Sequence, residues 1–311
     1  MLRVKPGEGN NLMRKYVIPN IRLGATSFLL HETYVPAVRF AAERCDDVAL
    51  LLVEPGERNE YLATPGEIAE IGRIIAGESA TLHVHLPTDA DFDTWEGARS
   101  MIGKIRRVAE LTGPLDPHSF VLHVDFPSLH GTGGEPSAEQ QEWTAEALRE
   151  IAACLPAPER LAVENLETYA PSFWDRWLAG TPYSRCLDVG HIWKDGGDPA
   201  PVLAAWLPRV RVIHLHGLEP RGSEADAAKP QGQQKAPEKL AERNLSRLFG
   251  PRPRDHKSLR LMPPEFVDDV MHPLWKTGFS GVLNLEVFSV EDFTASHAVL
   301  MHSWERYAAS S

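Results

Sequence analysis

The chain has 311 residues, with 32 lysines and arginines against 43 aspartates and glutamates, which gives a formal net charge of −11. Such an acidic protein repels polyanions, and this argues against general nucleic-acid binding. The length allows one large α/β domain or two smaller ones, and the hydrophobic content of 43% is typical of a globular protein.

Residues 1–20 are rich in Gly, Asn, Lys and Pro, which predicts a flexible lead-in to a single domain over 21–311. They contain no apolar core and do not resemble a signal peptide. No stretch reaches the roughly 18 apolar residues that a membrane span needs. Cys45, Cys154 and Cys186 are odd in number and far apart, which argues against a disulfide framework. We therefore expect a cytoplasmic protein of undetermined oligomeric state.

Eight short apolar runs predict buried strands, because most are rich in Leu and β-branched residues. They cover residues 21–27, 47–54, 80–87, 119–125, 160–167, 185–192, 210–218 and 281–288. Each is followed by a segment with helical spacing, over 33–45, 64–76, 94–112, 137–155, 172–180, 198–207, 263–276 and 289–308. Ser137 and Gln140 predict a capping box at the start of the fourth helix.

This alternation predicts parallel pairing, and eight units predict a closed (β/α)8 TIM barrel. An open doubly wound sheet is the competing architecture, but it normally has a glycine-rich loop after its first strand. The first turn here reads ATSFLLHET. A long polar insertion over 219–255, without a strand pattern, follows the seventh strand. It is either a mobile lid or a solvated excursion.

Polar side chains recur at the carboxyl ends of six consecutive strands, from the third to the eighth. A single histidine there is more often a hydrogen-bonded interior residue than a ligand. A barrel interior is usually filled with Val, Ile and Leu, however, and an unpaired buried carboxylate is costly. The convergence therefore predicts a metal centre. The residues are His83, His85, His123, Glu164, Asp188, His191, His214, His216 and Glu286, with Asp255 and His256 at the end of the insertion.

Imidazole and carboxylate ligands suit Zn or Mn, with Fe as a further option. The candidates exceed the four ligands of a closed mononuclear shell, so we expect two or three divalent ions with bridging carboxylates. Asp188 and His191 lie too far apart on an extended strand to chelate one ion. They either form a local hydrogen bond or serve neighbouring ions.

The strand-end motifs resemble those of the xylose isomerase-like barrels, a superfamily of sugar isomerases, sugar epimerases and endonuclease IV-type (AP endonuclease family 2) nucleases. In chain order they read HLP, LH, VEN, CLDxGH, HLH, DH and LEVF. Within that superfamily, the combination of GATSF, LHVHLPTD, CLDVGHI, VIHLHG and DHKSL is similar to the cobamide-remodelling phosphodiesterases. The resemblance implies hydrolysis of the nucleotide-loop phosphoester of vitamin B12-like corrinoids, with release of a cobinamide-type product.

The resemblance also implies roles for the candidate residues, with Glu164 and Glu286 as the catalytic carboxylates. The implied ligands of up to three ions are His85, His123, Glu164, Asp188, His191, His214, His256 and Glu286. The pattern expects an aspartate two residues before His256, where this chain has Arg254. Either Asp255 substitutes for it, or the site holds two ions. His83, His216 and Asp255 become supporting groups or substrate contacts, and for the two histidines a purely structural role is equally open.

Three other functions compete with this hypothesis. A sugar isomerase or epimerase needs only Glu164, Asp188, His214 and Glu286 around one divalent ion, with the carboxylates transferring protons. The surplus histidines argue for the hydrolase instead. Cleavage of abasic DNA needs a basic groove, which the net charge opposes. A non-catalytic corrinoid- or sugar-binding barrel has little use for charge-dense metal sites.

Overall fold

A computed structural model describes residues 15–52, 62–220, 245–250 and 253–310. Eight parallel strands close into a barrel in the spatial order β1-β10-β7-β6-β5-β4-β3-β2, while β8 and β9 form a separate ribbon. The predicted closed barrel is confirmed. The strands are Arg22–Thr26 (β1), Asp47–Leu51 (β2), Thr81–His85 (β3), Phe120–His123 (β4), Leu161–Glu164 (β5), Ser184–Asp188 (β6), Val210–Leu215 (β7), Gly217–Glu219 (β8), Arg254–Lys257 (β9) and Val282–Leu285 (β10).

Helices surround the barrel, and several begin at residues suited to a helix N-terminus. The capping box of Ser137 and Gln140 is present, and Thr64 forms another with Glu67. The helices are Tyr34–Ala42 (α1), Pro65–Gly77 (α2), Trp95–Thr112 (α3), Ala138–Ala153 (α4), Pro171–Leu178 (α5), Val189–Lys194 (α6), Pro199–Trp206 (α7), Leu245–Phe249 (α8), Pro264–Thr277 (α9) and Val290–Ser310 (α10). Among the described residues, no helix has the length and apolar character needed to cross a bilayer.

The strand alternation separates two environments. Side chains such as Leu82 and Val84 point outward and join the large core between strands and helices. Inside the barrel, a small apolar layer is formed by Val121, Ala162, Cys186 and Val212. The inward positions at the carboxyl ends of the strands are polar instead, so the fold collects these polar groups at one mouth of the barrel.

The antiparallel ribbon β8–β9 pairs Gly217 with Lys257 and Glu219 with Arg254. The sequence showed no strand pattern in the predicted insertion. The structure corrects this at the end of the insertion, where β9 begins at Arg254. A Cβ on Gly217 would lie 2.3 Å from the carbonyl oxygen of Ser258, so glycine permits this close pairing. The ribbon holds His256 beside the barrel mouth. The choice between a mobile lid and a solvated excursion depends on residues 221–244 and 251–252. These lie outside the described residues.

The described part of the predicted lead-in contacts the barrel. Trp275 Nε1 donates to the carbonyl oxygen of Pro19 at 2.9 Å, and Lys15 Nζ donates to that of Glu78 at 2.9 Å. Residues 1–14 lie outside the described residues. Cys45, Cys154 and Cys186 are free thiols.

Candidate metal centre and active site

Glu164, at the end of β5, is the most widely shared carboxylate of the barrel mouth. Its Oε1 lies 3.0 Å from His214 Nδ1. Its Oε2 lies 3.0 Å from His123 Nε2 and 3.3 Å from His85 Nε2. The side chain is 1% exposed. One buried carboxylate therefore connects imidazoles from β3, β4 and β7.

His214 Nδ1 faces two further carboxylates. Glu286 Oε2 lies 3.2 Å away and Asp188 Oδ2 lies 4.0 Å away. We call Glu164, Asp188, His214 and Glu286 the carboxylate ring. The barrel register explains the convergence, because Asp188 pairs with His214 and Glu286 donates its main-chain N–H to Leu215 on the same strand.

Burial and charge oppose each other in the ring. Burial alone would raise the pKa of the Glu164 carboxyl, but His214 and His123 hold that pKa well below its usual range. Burial likewise opposes ionisation of Glu286, and His214 keeps its pKa low. Burial disfavours a charged His214, yet the neighbouring Cys186 thiol and the Glu286 and Glu164 carboxylates raise its pKa well above the usual value. The ring thus requires positive charge at its centre.

A divalent cation fits this requirement. Three carboxylates and one imidazole nitrogen are a suitable donor set for Mn²⁺, Co²⁺ or Zn²⁺. Asp188 Oδ2 is buried and has no hydrogen-bond partner, which is costly unless another group engages it. His85, His214 and Glu286 also place ligand atoms within 4.8 Å of one another, as do His85, His123 and Glu164. The residues present are therefore compatible with a bound metal.

Asp188 and His191 are joined by a helical turn rather than an extended strand. Asp188 is the N-cap of α6, and its Oδ1 accepts from the His191 main-chain N–H at 2.7 Å. The predicted local hydrogen bond is therefore present. Oδ2 of the same carboxylate remains free to face the ring. The sequence pattern did not indicate α6, because its six residues also continue the apolar run of β6.

Asn165 fixes the position of Asp188. Its side chain accepts from the Asp188 main-chain N–H at 2.9 Å and donates to the Asp188 carbonyl oxygen at 2.8 Å. Its own carbonyl oxygen accepts from His191 Nδ1 at 3.0 Å. Sequence reasoning did not assign this residue, although the VEN motif contained it.

Two predicted supporting residues lie away from the ring. His83 lies deeper in the barrel, where its Nδ1 contacts Asp47 Oδ1 at 2.5 Å. Asp255 is engaged by Lys194, which also donates to Glu167 at 2.8 Å. The Asp255 carboxylate is thus held in an ion pair with Lys194, and its role as a substitute for the aspartate missing before His256 stays a prediction. The sequence did not single out Asp47 or Glu167.

His191, His216 and His256 form a separate group beside the ring, with ligand atoms within 4.8 Å of one another. Asp188 lies between the two groups, since its Oδ1 is 3.4 Å from His216 Nε2. The structure therefore brings nine of the eleven candidates together at the barrel mouth, and leaves His83 and Asp255 outside.

No family model matches this sequence, and the comparison with curated proteins gives no match. Solved structures do match over nearly the whole chain. A D-tagatose 3-epimerase-like protein has 15% identity and a TM-score of 0.64, covering 93% of this chain and 99% of the other. An L-ribulose 3-epimerase has 14% identity and a TM-score of 0.62, covering 94% and 98%. A xylose isomerase domain protein from Planctomyces limnophilus has 12% identity and a TM-score of 0.62, covering 93% and 98%.

These neighbours contradict the predicted cobamide phosphodiesterase and its corrinoid substrate. They are sugar epimerases and a xylose isomerase domain, and they favour the competing hypothesis of a sugar isomerase or epimerase. The physical reason for the error is that both functions use the same carboxylate ring, so the motifs could not separate them. At such low identity the likeness establishes the fold, and the chain has the architecture of the xylose isomerase-like (β/α)8 barrels.

Proposed function

We propose that the protein is a sugar isomerase or epimerase that transfers a proton at the carbon beside a carbonyl group, with one divalent ion held by the carboxylate ring. The observation that carries this proposal is the convergence of Glu164 and Glu286 on His214 Nδ1, at 3.0 and 3.2 Å. Glu164 ends β5 and Glu286 follows β10, and these two strands lie on either side of the β6–β7 pair. The names of the structural neighbours support the same reaction class.

When bound, the ion would polarise the sugar carbonyl and so acidify the adjacent C–H bond. Glu164 and Glu286 are ionised at neutral pH and are the bases available for proton transfer. An epimerase needs a proton removed from one face of the carbon and returned to the other, which two carboxylates on separate strands can do. An isomerase needs one of them to carry the proton between adjacent carbons.

Other side chains at the mouth would orient the substrate and the bases. His85 Nδ1 donates to the Leu86 carbonyl oxygen at 2.9 Å, which directs Nε2 at Glu164. Phe288 follows β10, is 39% exposed and lies 4.9 Å from the His256 ring. Its exposed face offers an apolar surface to the C–H groups of a sugar. These contacts favour a small polyhydroxylated ligand with one apolar face.

The test is proton exchange in D₂O. Purified protein with added Mn²⁺ or Co²⁺ is incubated with D-tagatose, D-allulose and L-ribulose, and NMR follows deuterium entry beside the carbonyl. We expect exchange with at least one sugar, and a loss of about 10²–10⁴-fold in Glu164→Gln and Glu286→Gln, because each removes a base. Glu291→Gln, at an exposed carboxylate, is the matched control.

Absence of exchange in the wild-type protein with every sugar and metal would contradict the proposal. Full exchange in both glutamine variants would contradict the assignment of the bases. Circular dichroism on each variant shows that the barrel has folded.

A further inference from the structure

Beyond His123, the chain that leaves β4 carries a second polar side chain to the barrel mouth. Val124 and Phe126 belong to the core between strands and helices. Because side chains alternate along an extended chain, His123 and Asp125 face the other way, toward the mouth. At about 3.3 Å per residue, Asp125 lies roughly 7 Å beyond His123 on the solvent side. The proton-transfer chemistry proposed above does not use Asp125.

Asp125 is held in place by contacts from two other loops. Phe92, after β3, donates its main-chain N–H to the Asp125 carbonyl oxygen at 2.8 Å. Tyr169, after β5, donates its hydroxyl to Asp125 Oδ1 at 2.8 Å. Burial and this hydrogen bond raise the pKa of Tyr169, so its hydroxyl keeps the proton that it donates. The Tyr169 ring packs against Phe173 at a centroid distance of 4.4 Å, which limits its movement.

His130, on the same loop as Asp125, completes a chain of three hydrogen-bonded side chains. Its Nε2 lies 2.6 Å from Asp125 Oδ1, and its side chain is 48% exposed. Because a carboxylate oxygen accepts, Nε2 carries the proton, and in the neutral ring Nδ1 keeps its lone pair. Gly131 has φ +69°, which lets the chain turn directly after His130. We call Asp125 and His130 the rim pair.

The rim pair offers hydrogen-bond acceptors to a ligand. Tyr169 and His130 both engage Oδ1 of Asp125, which leaves Oδ2 free of these two donors. Oδ2 and His130 Nδ1 are therefore acceptors that suit the O–H groups of a sugar. A phosphate group would meet the Asp125 carboxylate, and like charges at short distance repel. The chemistry of the pair thus favours hydroxyl groups over an anion.

We propose that the rim pair selects sugars by chain length, because it binds the hydroxyl groups at the end far from the reacting carbons, and that Tyr169 positions the pair. This role rests on the proposed function, which places the reacting carbons at the carboxylate ring. His123 contacts Glu164 of that ring, and Asp125 stands roughly 7 Å further out. A six-carbon sugar covers this span, whereas a four-carbon sugar bound at the ring ends short of the pair.

Polyol binding tests the rim pair without requiring turnover, because polyols have hydroxyl groups but no carbonyl group. Isothermal titration calorimetry with Mn²⁺-loaded protein compares galactitol and D-glucitol, which have six carbons, with erythritol, which has four. We expect the wild type to bind both six-carbon polyols more tightly than erythritol. His130→Ala should weaken binding of the six-carbon polyols about tenfold and leave that of erythritol unchanged, because a hydrogen bond at the far end is lost.

Two further variants test positioning and specificity. Tyr169→Phe keeps the aromatic packing but removes the hydroxyl that holds Asp125, so it should lower the ratio of six-carbon to four-carbon affinity by a smaller factor. His302→Ala, at an exposed histidine of α10, is the matched control for His130→Ala and keeps the wild-type ratio. Circular dichroism on each variant shows that the barrel has folded.

An unchanged affinity ratio in His130→Ala would overturn the proposal, as would equal binding or no binding of the three polyols by the wild type. A similar loss for six-carbon and four-carbon polyols in His130→Ala would also overturn it, because such a loss reports a general effect on the mouth. Deuterium exchange without selection by chain length defeats this proposal alone. Selection by chain length without exchange of any sugar defeats the proposed function alone.

Discussion

Asp47, at the floor of the barrel, is a buried carboxylate that several protein donors surround. Thr81 Oγ1 and His83 Nδ1 each lie 2.5 Å from one of its oxygens, and His118 Nε2 lies 3.1 Å away. Arg22 approaches to 3.8 Å. In the carboxylate ring, by contrast, Asp188 Oδ2 has no such donor. Protein donors therefore surround the carboxylate at the floor, whereas one carboxylate oxygen at the mouth has none.

Replacing Asp47 by Asn should destabilise the fold by about 2–4 kcal/mol at neutral pH, because charge-assisted bonds at a buried site are lost. Burial opposes ionisation of Asp47, but His83 and His118 hold its pKa below the usual range. A carboxyl with a lowered pKa stabilises the fold above its unfolded-state pKa, about 3.9, and loses that contribution as the pH falls further. The stability gap between wild type and variant should therefore persist at pH 5 and narrow only below about pH 4.

Urea unfolding at several pH values measures this gap. Asp116→Asn is the control, because Asp116 is exposed and its left-handed φ of +48° suits asparagine. If the difference in unfolding free energy between the wild type and Asp47→Asn disappeared between about pH 7 and pH 5, the pKa of Asp47 would not be lowered in the folded protein. That result would contradict the expectation.

At the scale of elements, the eight barrel strands were predictable and the geometry of the candidate metal centre only partly so. Short apolar runs alternating with amphipathic segments indicate strands and helices directly. The turn that begins α6 at Val189 could not be seen, because VGHIWK has no polar break after β6. The ribbon β8–β9 was missed for a different reason. It joins Gly217 to Lys257 across 39 intervening positions, and local pattern carries no information about such pairing.

Gly190 couples α6 to His216 and offers a test at this scale. Gly190→Ala places a methyl group in the His216 ring, which is buried and cannot move freely. We expect a loss of about 1–3 kcal/mol from overpacking. Gly77→Ala, at the end of α2, is the control, since a Cβ there meets nothing within 4 Å. Alanine at that position should be neutral or slightly stabilising.

Thermal unfolding of the two alanine variants provides the measurement. An unchanged melting temperature in Gly190→Ala would show that His216 has another position available, and that α6 does not fix this ring.

For the whole molecule, sequence identified the architecture but not the reaction. A closed barrel follows from eight strand–helix units, and it brings strand ends that are far apart in sequence to one mouth. In the proposed function, the reaction depends on how Glu164, Asp188 and Glu286 divide their oxygens among ions, protons and substrate. The same residue types in the same order serve hydrolysis and proton transfer alike, so their spacing did not exclude the wrong activity.

Metal removal should lower the stability of the whole barrel, because the ring carboxylates come from β5, β6 and β10 and lose a shared positive partner. A ligand bound at a thousand times its dissociation constant stabilises the native state by about 4 kcal/mol. At about 2–4 °C per kcal/mol, chelation should lower the melting temperature by on the order of 10 °C.

Differential scanning calorimetry with and without chelator measures this change, and re-addition of Mn²⁺ or Zn²⁺ should reverse it. In Glu286→Gln the shift on chelation should be smaller, because the variant has one fewer ligand to bind the ion. Its metal-free form should also melt below the metal-free wild type, because His214 stabilises the ionised Glu286 carboxylate that the variant lacks. Equal melting temperatures for the wild type with and without chelator would mean that no ion contributes to the stability of the barrel mouth. Protons on His214 and its neighbours would then be enough to balance the charge of the ring carboxylates.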